Sequence, residues 1–202
     1  LTPRPGIMDI TPYVGGDSAL PGKSRVIRLA SNEGALGPSP RAVKAYKKLA
    51  GELHRYPDGG CTALRQALGD RYGIDAANIV CGAGSDEIIS LLCRAYTGPG
   101  DEVLHSAHGF LMYAIAAKGA GATPVAAPEP SLHADVDGLL AQVTDKTRIL
   151  FLANPNNPTG TYLPVEVLRR LRAGLRQDIL LVIDAAYAEY VGHNDYDAGI
   201  GM

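Results

Sequence analysis

At 202 residues, 46% hydrophobic and 20% charged, the chain can hold one complete domain or a domain with part of a second, and it can bury a core. Nineteen Lys and Arg against 21 Asp and Glu leave a net charge of −2 with no basic cluster, so the composition argues against nucleic acid or an anionic membrane surface and points to a small molecule as partner. Cys61, Cys81 and Cys93 form no CxxC pair and the five histidines stand at no ligand spacing beside them, so reduced thiols and no metal site are expected. No apolar signal core opens the chain and no apolar run approaches the ~20 residues of a membrane span, so a cytoplasmic protein is expected.

Residues 1 to about 40 are rich in Pro and Gly and read as an arm lying over another surface, with one short strand at Arg25 to Leu29. Ser39 can cap a helix that has Pro40 at its first position and ends at Gly51. A second helix spans Thr62 to Tyr72, and Gly73 stops it. Strands and helices then alternate. Ile79 to Cys81 is a short apolar run, followed by GAGSDE and a helix over IISLLCRAY. Glu102 to His105 is a strand, followed by a loop at His108 and Gly109 and a helix to Lys118. Thr123 to Ala126 is a strand, and Asp135 caps a helix over Val136 to Val143. Arg148 to Ala153 is a strand, followed by the turn NPNNPTG and a helix from Pro164 to about Ala173. Ile179 to Ile183 is the last strand and ends in Asp184. This alternation predicts an α/β fold, a mainly parallel sheet with helices on both faces. The near-continuous apolar runs ILFLA and ILLVI suit strands buried on both sides.

In such sheets ligands bind beyond the carboxyl ends of the strands. GAGSDE there can form an anion site of free N–H groups at a helix start, or else Ser85 simply caps the helix while Asp86 and Glu87 complement its dipole. Phe110 can stack on a planar ligand or pack in the core. The two Asn-Pro pairs of NPNNPTG force an irregular, rigid turn that fixes the amide of Asn157. Asp184 ends the most apolar strand, where a carboxylate is costly unless paired. It can cap the next segment, or keep a cationic ring nitrogen protonated with the Tyr187 hydroxyl beside it. A phosphate cradle, a stacking ring, an amide and an anion for a ring nitrogen together describe a site for pyridoxal phosphate.

RLASNEGALGPSP, HRYPDGG, GAGSDE, GFLMY, FLANPNNPTG and DAAYAEYV occur in this order, and the set resembles histidinol-phosphate aminotransferases of the fold-type I pyridoxal-phosphate superfamily. The resemblance implies a truncated large cofactor-binding domain at residues 39–202, preceded by an N-terminal arm and part of a small domain at residues 1–38, with the C-terminal remainder absent. It implies that Ala83, Gly84 and Ser85 cradle the cofactor phosphate, that Phe110 stacks on its ring, and that Asn157 and Tyr187 hydrogen-bond the ring oxygen. Asp184 would pair with the ring nitrogen, making Asp184 and Tyr187 the catalytic residues of this chain. Tyr56 would reach the cofactor of the partner subunit in a homodimer, and Tyr13 and Asn32 would lie near the substrate. The implied reaction converts histidinol phosphate and 2-oxoglutarate to imidazole-acetol phosphate and glutamate, with an amino donor and a 2-oxo acid as partners.

The sequence departs from the pattern in places. Ala185 stands where Glu is common, His108 where Pro is common, and Gly34 where Asn is common. The family's Schiff-base lysine, in a Ser-x-x-Lys segment, has no counterpart among the six lysines Lys23, Lys44, Lys47, Lys48, Lys118 and Lys146. The arginines expected to bind substrate have none either, so the segment alone is expected to be inactive. Rival readings are an aromatic aminotransferase, a threonine-phosphate decarboxylase, or a non-catalytic module that keeps only the cradle. A nucleotide-binding fold lacks any GxGxxG or Walker sequence.

Overall fold

The computed structural model describes residues 2–13, 21, 22, 24, 26, 27, 31–34 and 36–202. Four strands form one parallel sheet: β1 (Glu102–Ser106), β2 (Thr123–Ala127), β3 (Thr147–Ala153) and β4 (Leu180–Asp184), in the order β2-β1-β3-β4. Six α-helices accompany it among the described residues: α1 (Pro40–Leu49), α2 (Thr62–Tyr72), α3 (Ser85–Tyr96), α4 (Met112–Ala120), α5 (Val136–Ala141) and α6 (Val165–Gly174).

The period-2 alternation of each strand divides the core in two. Val103, Ile149 and Phe151 point to one face, where Ile89 and Cys93 of α3 and Tyr113 and Ala117 of α4 cover them. Leu104, Leu150 and Leu152 point to the other, where Leu139 of α5 and Leu168 and Leu171 of α6 cover them. Both faces are therefore dry at β3, which explains why that strand reads as an unbroken apolar run. On the first face, α4 presents Ala116, Ala117 and Ala120, small enough for the helix to lie close on the sheet.

The chain steps from β1 to β2 on one side and then returns to lay β3 on the other side of β1. This reversal opens a crevice beyond the carboxyl ends of β1 and β3. Phe110 follows β1 there, and NPNNPTG follows β3.

Local signals act as their chemistry suggests. Gly73 takes φ +68 and returns its N–H to Gly69, closing α2. The Asp135 carboxylate accepts from the Asp137 N–H at the head of α5. At the head of α1, Ser39 makes no side-chain cap bond, and Pro40 sits at the first turn. α5 stops at Ala141, two residues before the predicted end at Val143.

Two predicted strands differ. Ile79–Cys81 does not join the sheet; Ile79 has extended dihedrals but no described strand lies beside it, and Val80 is 76% exposed. A short apolar run becomes a strand only when a neighbour takes its N–H and C=O groups. Of the strand expected at 25–29, Arg25, Arg28 and Leu29 lie outside the described residues, and Val26 and Ile27 belong to no strand. The first described residues contact α4. Arg4 donates to the Gly119 carbonyl at 2.6 Å, and Lys118 of α4 donates to the Asp9 carbonyl at 3.0 Å.

Candidate active site

Ser85, Phe110, Asn157, Asp184 and Tyr187 line one slot at the carboxyl end of the sheet, with Ala153, Pro155 and Ala186 between them. Five residues spread over a hundred positions of sequence thus meet around a single opening. A wider cavity of about 650 Å³ adjoins it through Pro155, Asn157 and Tyr187, and Asn32, Glu33 and Tyr162 complete its walls.

Asp184 is the last residue of β4 and forms the floor. Tyr113 of α4 donates its hydroxyl to Asp184 Oδ2 at 2.8 Å, and the Ala186 N–H donates to Oδ1 at 3.2 Å. Tyr113 is fully buried, stacked on Phe151 with ring centroids 4.8 Å apart, and edge-on to Phe110 at 5.9 Å. Burial, followed by the charge and hydrogen bond of Asp184, pushes the Tyr113 phenol far above its ordinary range. It therefore stays protonated and remains a donor to the carboxylate. The floor of the slot is an aromatic stack that aims one carboxylate outward.

The turn after β3 is built by its own asparagines. Asn154 exchanges two hydrogen bonds with the backbone of Leu163, at 3.1 and 2.7 Å. The Asn156 N–H donates to the Thr161 carbonyl at 2.8 Å, and its side-chain amide donates to Thr159 Oγ1 at 2.9 Å. Both Asn–Pro bonds, 154–155 and 157–158, are cis. The turn holds itself closed and leaves the Asn157 amide facing the slot. Tyr187 stands opposite, and its hydroxyl accepts a hydrogen bond from Asn32 Nδ2 at 2.7 Å. Asn32 thereby joins the site from 155 residues away.

The GAGSDE turn is more occupied than its sequence suggests. Gly84, not Ser85, is the cap residue of α3, at φ 80 and ψ 178, a conformation that only glycine adopts freely. Its N–H turns back to the Gly82 carbonyl at 2.9 Å. The Ala83 N–H donates to the Glu87 carboxylate at 2.6 Å. Glu87 reaches back over the helix start and fills an anion position from within, as in a capping box. Of the three expected cradle residues, only Ser85 lines the slot.

Two expected residues stand elsewhere within the chain. Tyr13 lies with Ile10, Leu111, Ile115 and Lys118 on the outer side of α4, away from the slot. Tyr56 is fully exposed. Its loop is anchored by Asp58, whose carboxylate accepts from the Gly60 and Thr62 N–H groups at 2.9 and 2.8 Å. Those bonds, from Thr62 first and then Gly60, hold the Asp58 carboxyl below its ordinary pKa.

The profile of class I and II aminotransferases matches residues 24–199. The chain belongs to the class I and II aminotransferase family. This aminotransferase chain is 70% identical over 200 residues to a histidinol-phosphate aminotransferase of Paramagnetospirillum magneticum, covering 99% of itself and 55% of that protein. It is 66% identical to the corresponding Rhodospirillum rubrum enzyme, covering 98% of itself and 54% of that enzyme. It thus spans about half the length of these relatives. Among solved structures, it resembles the Sinorhizobium meliloti histidinol-phosphate aminotransferase in complex with pyridoxal-5'-phosphate at TM-score 0.78 and 32% identity, covering 82% of itself and 45% of that chain. It also resembles an aromatic aminotransferase from Pyrococcus horikoshii at TM-score 0.64 and 30% identity, covering 73% of itself and 43% of that chain.

Sequence reasoning singled out Asp184 in this aminotransferase chain and missed the groups that hold the site. Tyr113 is the chief omission. Its sequence signal was its place near the start of the helix after β1, three residues beyond Phe110, which itself precedes α4. Glu87 was read as a dipole complement, although a carboxylate at this distance from a helix start is also a capping-box residue. Nothing local distinguishes Asn156 from Asn157; only the fold decides which amide faces inward. No metal-type cluster occurs among the described residues, and no described helix is long and apolar enough to cross a membrane.

Proposed function

We propose that the chain is the cofactor-binding part of a pyridoxal-phosphate-dependent histidinol-phosphate aminotransferase. The reading is carried by one observation, the Tyr113-held carboxylate of Asp184 at the floor of a slot walled by Phe110, Asn157, Tyr187 and Ser85. High identity to histidinol-phosphate aminotransferases over almost the whole chain supports the substrate class.

The residues fit the cofactor in kind. An aromatic face, a fixed amide, a phenol and an anion match a planar pyridinium with a ring oxygen, and the start of the 12-residue helix α3 suits a phosphate. Pyridoxal phosphate, when bound, supplies an electron sink for the bonds that break at the substrate α-carbon. Asp184 holds a proton on the ring nitrogen, because its charge, partly screened from water, favours the cationic form. Phe110 fixes the ring plane. Asn157 and Tyr187 donate to the ring oxygen, and Asn32 orients the Tyr187 hydroxyl. Ser85 and the first N–H groups of α3 take the phosphate, with Ala83 joining once Glu87 releases its N–H. Tyr56 reaches the cofactor of a second subunit, and Tyr13 comes to the substrate in that assembly. Among the described residues no lysine lines either cavity, so turnover needs an amine from elsewhere.

Titration of the chain with pyridoxal phosphate, followed by ligand fluorescence, tests the reading. Wild type should bind, and Asp184→Ala should weaken binding at least about tenfold, the worth of one charged partner. Unchanged affinity sinks the assignment. For the full-length protein, glutamate formation from histidinol phosphate, set against an aromatic amino acid and threonine phosphate, tests the substrate. A preference for the aromatic donor would favour the aromatic aminotransferase reading.

A further inference from the structure

Glu129 follows β2, and its side chain is completely buried. A buried carboxylate is costly unless paired. Its Oε2 accepts from the His108 N–H at 2.6 Å and lies 2.7 Å from His108 Nδ1. Oε1 has no hydrogen-bond partner among the described residues. The carboxylate is thus committed to one residue, gripping it by backbone and ring together. On its other side the His108 carbonyl accepts from the buried Asn156 side chain at 3.2 Å. The loop between them is tight. Gly109 donates to the Ser106 carbonyl at 3.0 Å, and a Cβ at Gly109 would approach that oxygen to 3.1 Å.

His108 is clasped from two strand ends at once. Two residues along the loop stands Phe110; one residue beyond Asn156 stands Asn157. The clasp acts beside two other contacts that tie the end of β2 to this region, the Ala107 N–H on the Ala127 carbonyl at 2.8 Å and the Thr161 hydroxyl on the Leu132 carbonyl at 3.2 Å. The other titratable group facing Glu129 is His105, buried on β1, which bonds the Ser106 carbonyl through Nδ1. Burial lowers its pKa and keeps it uncharged near neutral pH, leaving His108 as the partner of the carboxylate.

We propose that Glu129 is a positioning residue for the active-site slot: by clasping His108 it sets Phe110, and through Asn156 the Asn157 amide, in register with Asp184. Its effect on cofactor rests on the stacking role assigned to Phe110, whereas its effect on Phe110 does not. Local sequence could not expose this, because Glu129 lies 21 residues from His108, beyond the end of β2.

The chain contains two phenylalanines, Phe110 and the fully buried Phe151, so fluorophenylalanine labelling gives two ¹⁹F resonances. In Glu129→Ala the Phe110 line should shift or broaden while the Phe151 line stays, and pyridoxal phosphate affinity should fall about tenfold, the size of a lost hydrogen bond to a charged group. Glu129→Gln keeps an amide oxygen that can accept from both His108 nitrogens, and it should restore most of the Phe110 line. An unmoved Phe110 line in Glu129→Ala overturns the proposal. A moved line with unchanged affinity upholds the clasp and instead removes Phe110 from the cofactor reading. If Glu129→Ala loses the Phe151 line as well, His108→Ala decides. Its side chain is 48% exposed and its removal deletes only the ring contact. A smaller Phe110 shift is then expected, and no shift overturns the proposal.

Discussion

The Tyr113 hydroxyl donates to Asp184 Oδ2 at 2.8 Å across 71 residues of sequence. The donor is buried in an aromatic stack on the sheet, and the acceptor ends the edge strand β4. The bond converts a carboxylate that could swing with the chain end into one with a fixed direction.

Tyr113→Phe keeps the stack on Phe151 and deletes the donor. Native stability should fall by about 1–2 kcal/mol in urea unfolding, the cost of a bond to a charged group. The variant also tests pH. The folded phenol is raised well above its ordinary value of 10.0, so its stabilisation is complete below pH 10 and is lost as pH rises beyond it, where the unfolded chain alone gives up the proton. Wild-type stability should therefore decline above pH 10, and Tyr113→Phe should decline less steeply by about one proton, or ~1.4 kcal/mol per pH unit. Tyr162 and Tyr196, both also raised, preserve part of the slope. Equal slopes would show that the Tyr113 phenol ionises normally.

Glu87 competes with any anion for the Ala83 N–H. Glu87→Ala frees that group and removes a negative charge from the α3 start. Inorganic phosphate, titrated by amide chemical shifts, should bind several-fold tighter, while the lost cap costs about 0.5–2 kcal/mol of stability. Unchanged phosphate affinity would mean that the Ala83 N–H takes no part in the cradle.

The three cysteines should separate by reactivity. Cys93 is fully buried, and burial pushes its thiol up to about 11. Cys61 and Cys81 are half-buried. Burial raises Cys81 too, with smaller contributions from the charge and hydrogen bond of Cys61. An aromatic disulfide reagent at pH 8 should label Cys61 first, Cys81 more slowly, and Cys93 only on unfolding. Rapid labelling of all three in the native chain would contradict the packing of α3 on β1 and β3.

Leu150 sits at the centre of β3, wholly buried between Leu104 and the α6 leucines. Leu150→Ala should cost about 2–5 kcal/mol by calorimetry or urea midpoint, because parallel strands on both sides prevent collapse onto the hole. A cost under ~1 kcal/mol would indicate a loosely packed second face.

The amino-acid order by itself determined what short-range chemistry decides. Apolar runs bounded by turn residues located β1, β2, β3 and β4 to within a residue or two, and Gly73 and Asp135 ended and began helices as such residues do. Phe110, Asn157, Asp184 and Tyr187, just beyond or at the ends of those strands, could be picked out as candidates for one site because parallel α/β sheets bind ligands there, whereas Ser85 reaches the same slot from the start of α3 without a strand before it. Tertiary structure decided the rest. Whether Ile79–Cys81 pairs depends on a neighbour, not on its own residues. Which asparagine of the turn faces inward, and which faces His108, depends on β3 lying beside β1. Tyr113 under Asp184 and Glu129 beneath His108 are long-range contacts. A hydrogen bond of this kind leaves no periodicity in the chain; it exists only once packing has brought donor and acceptor within 3 Å.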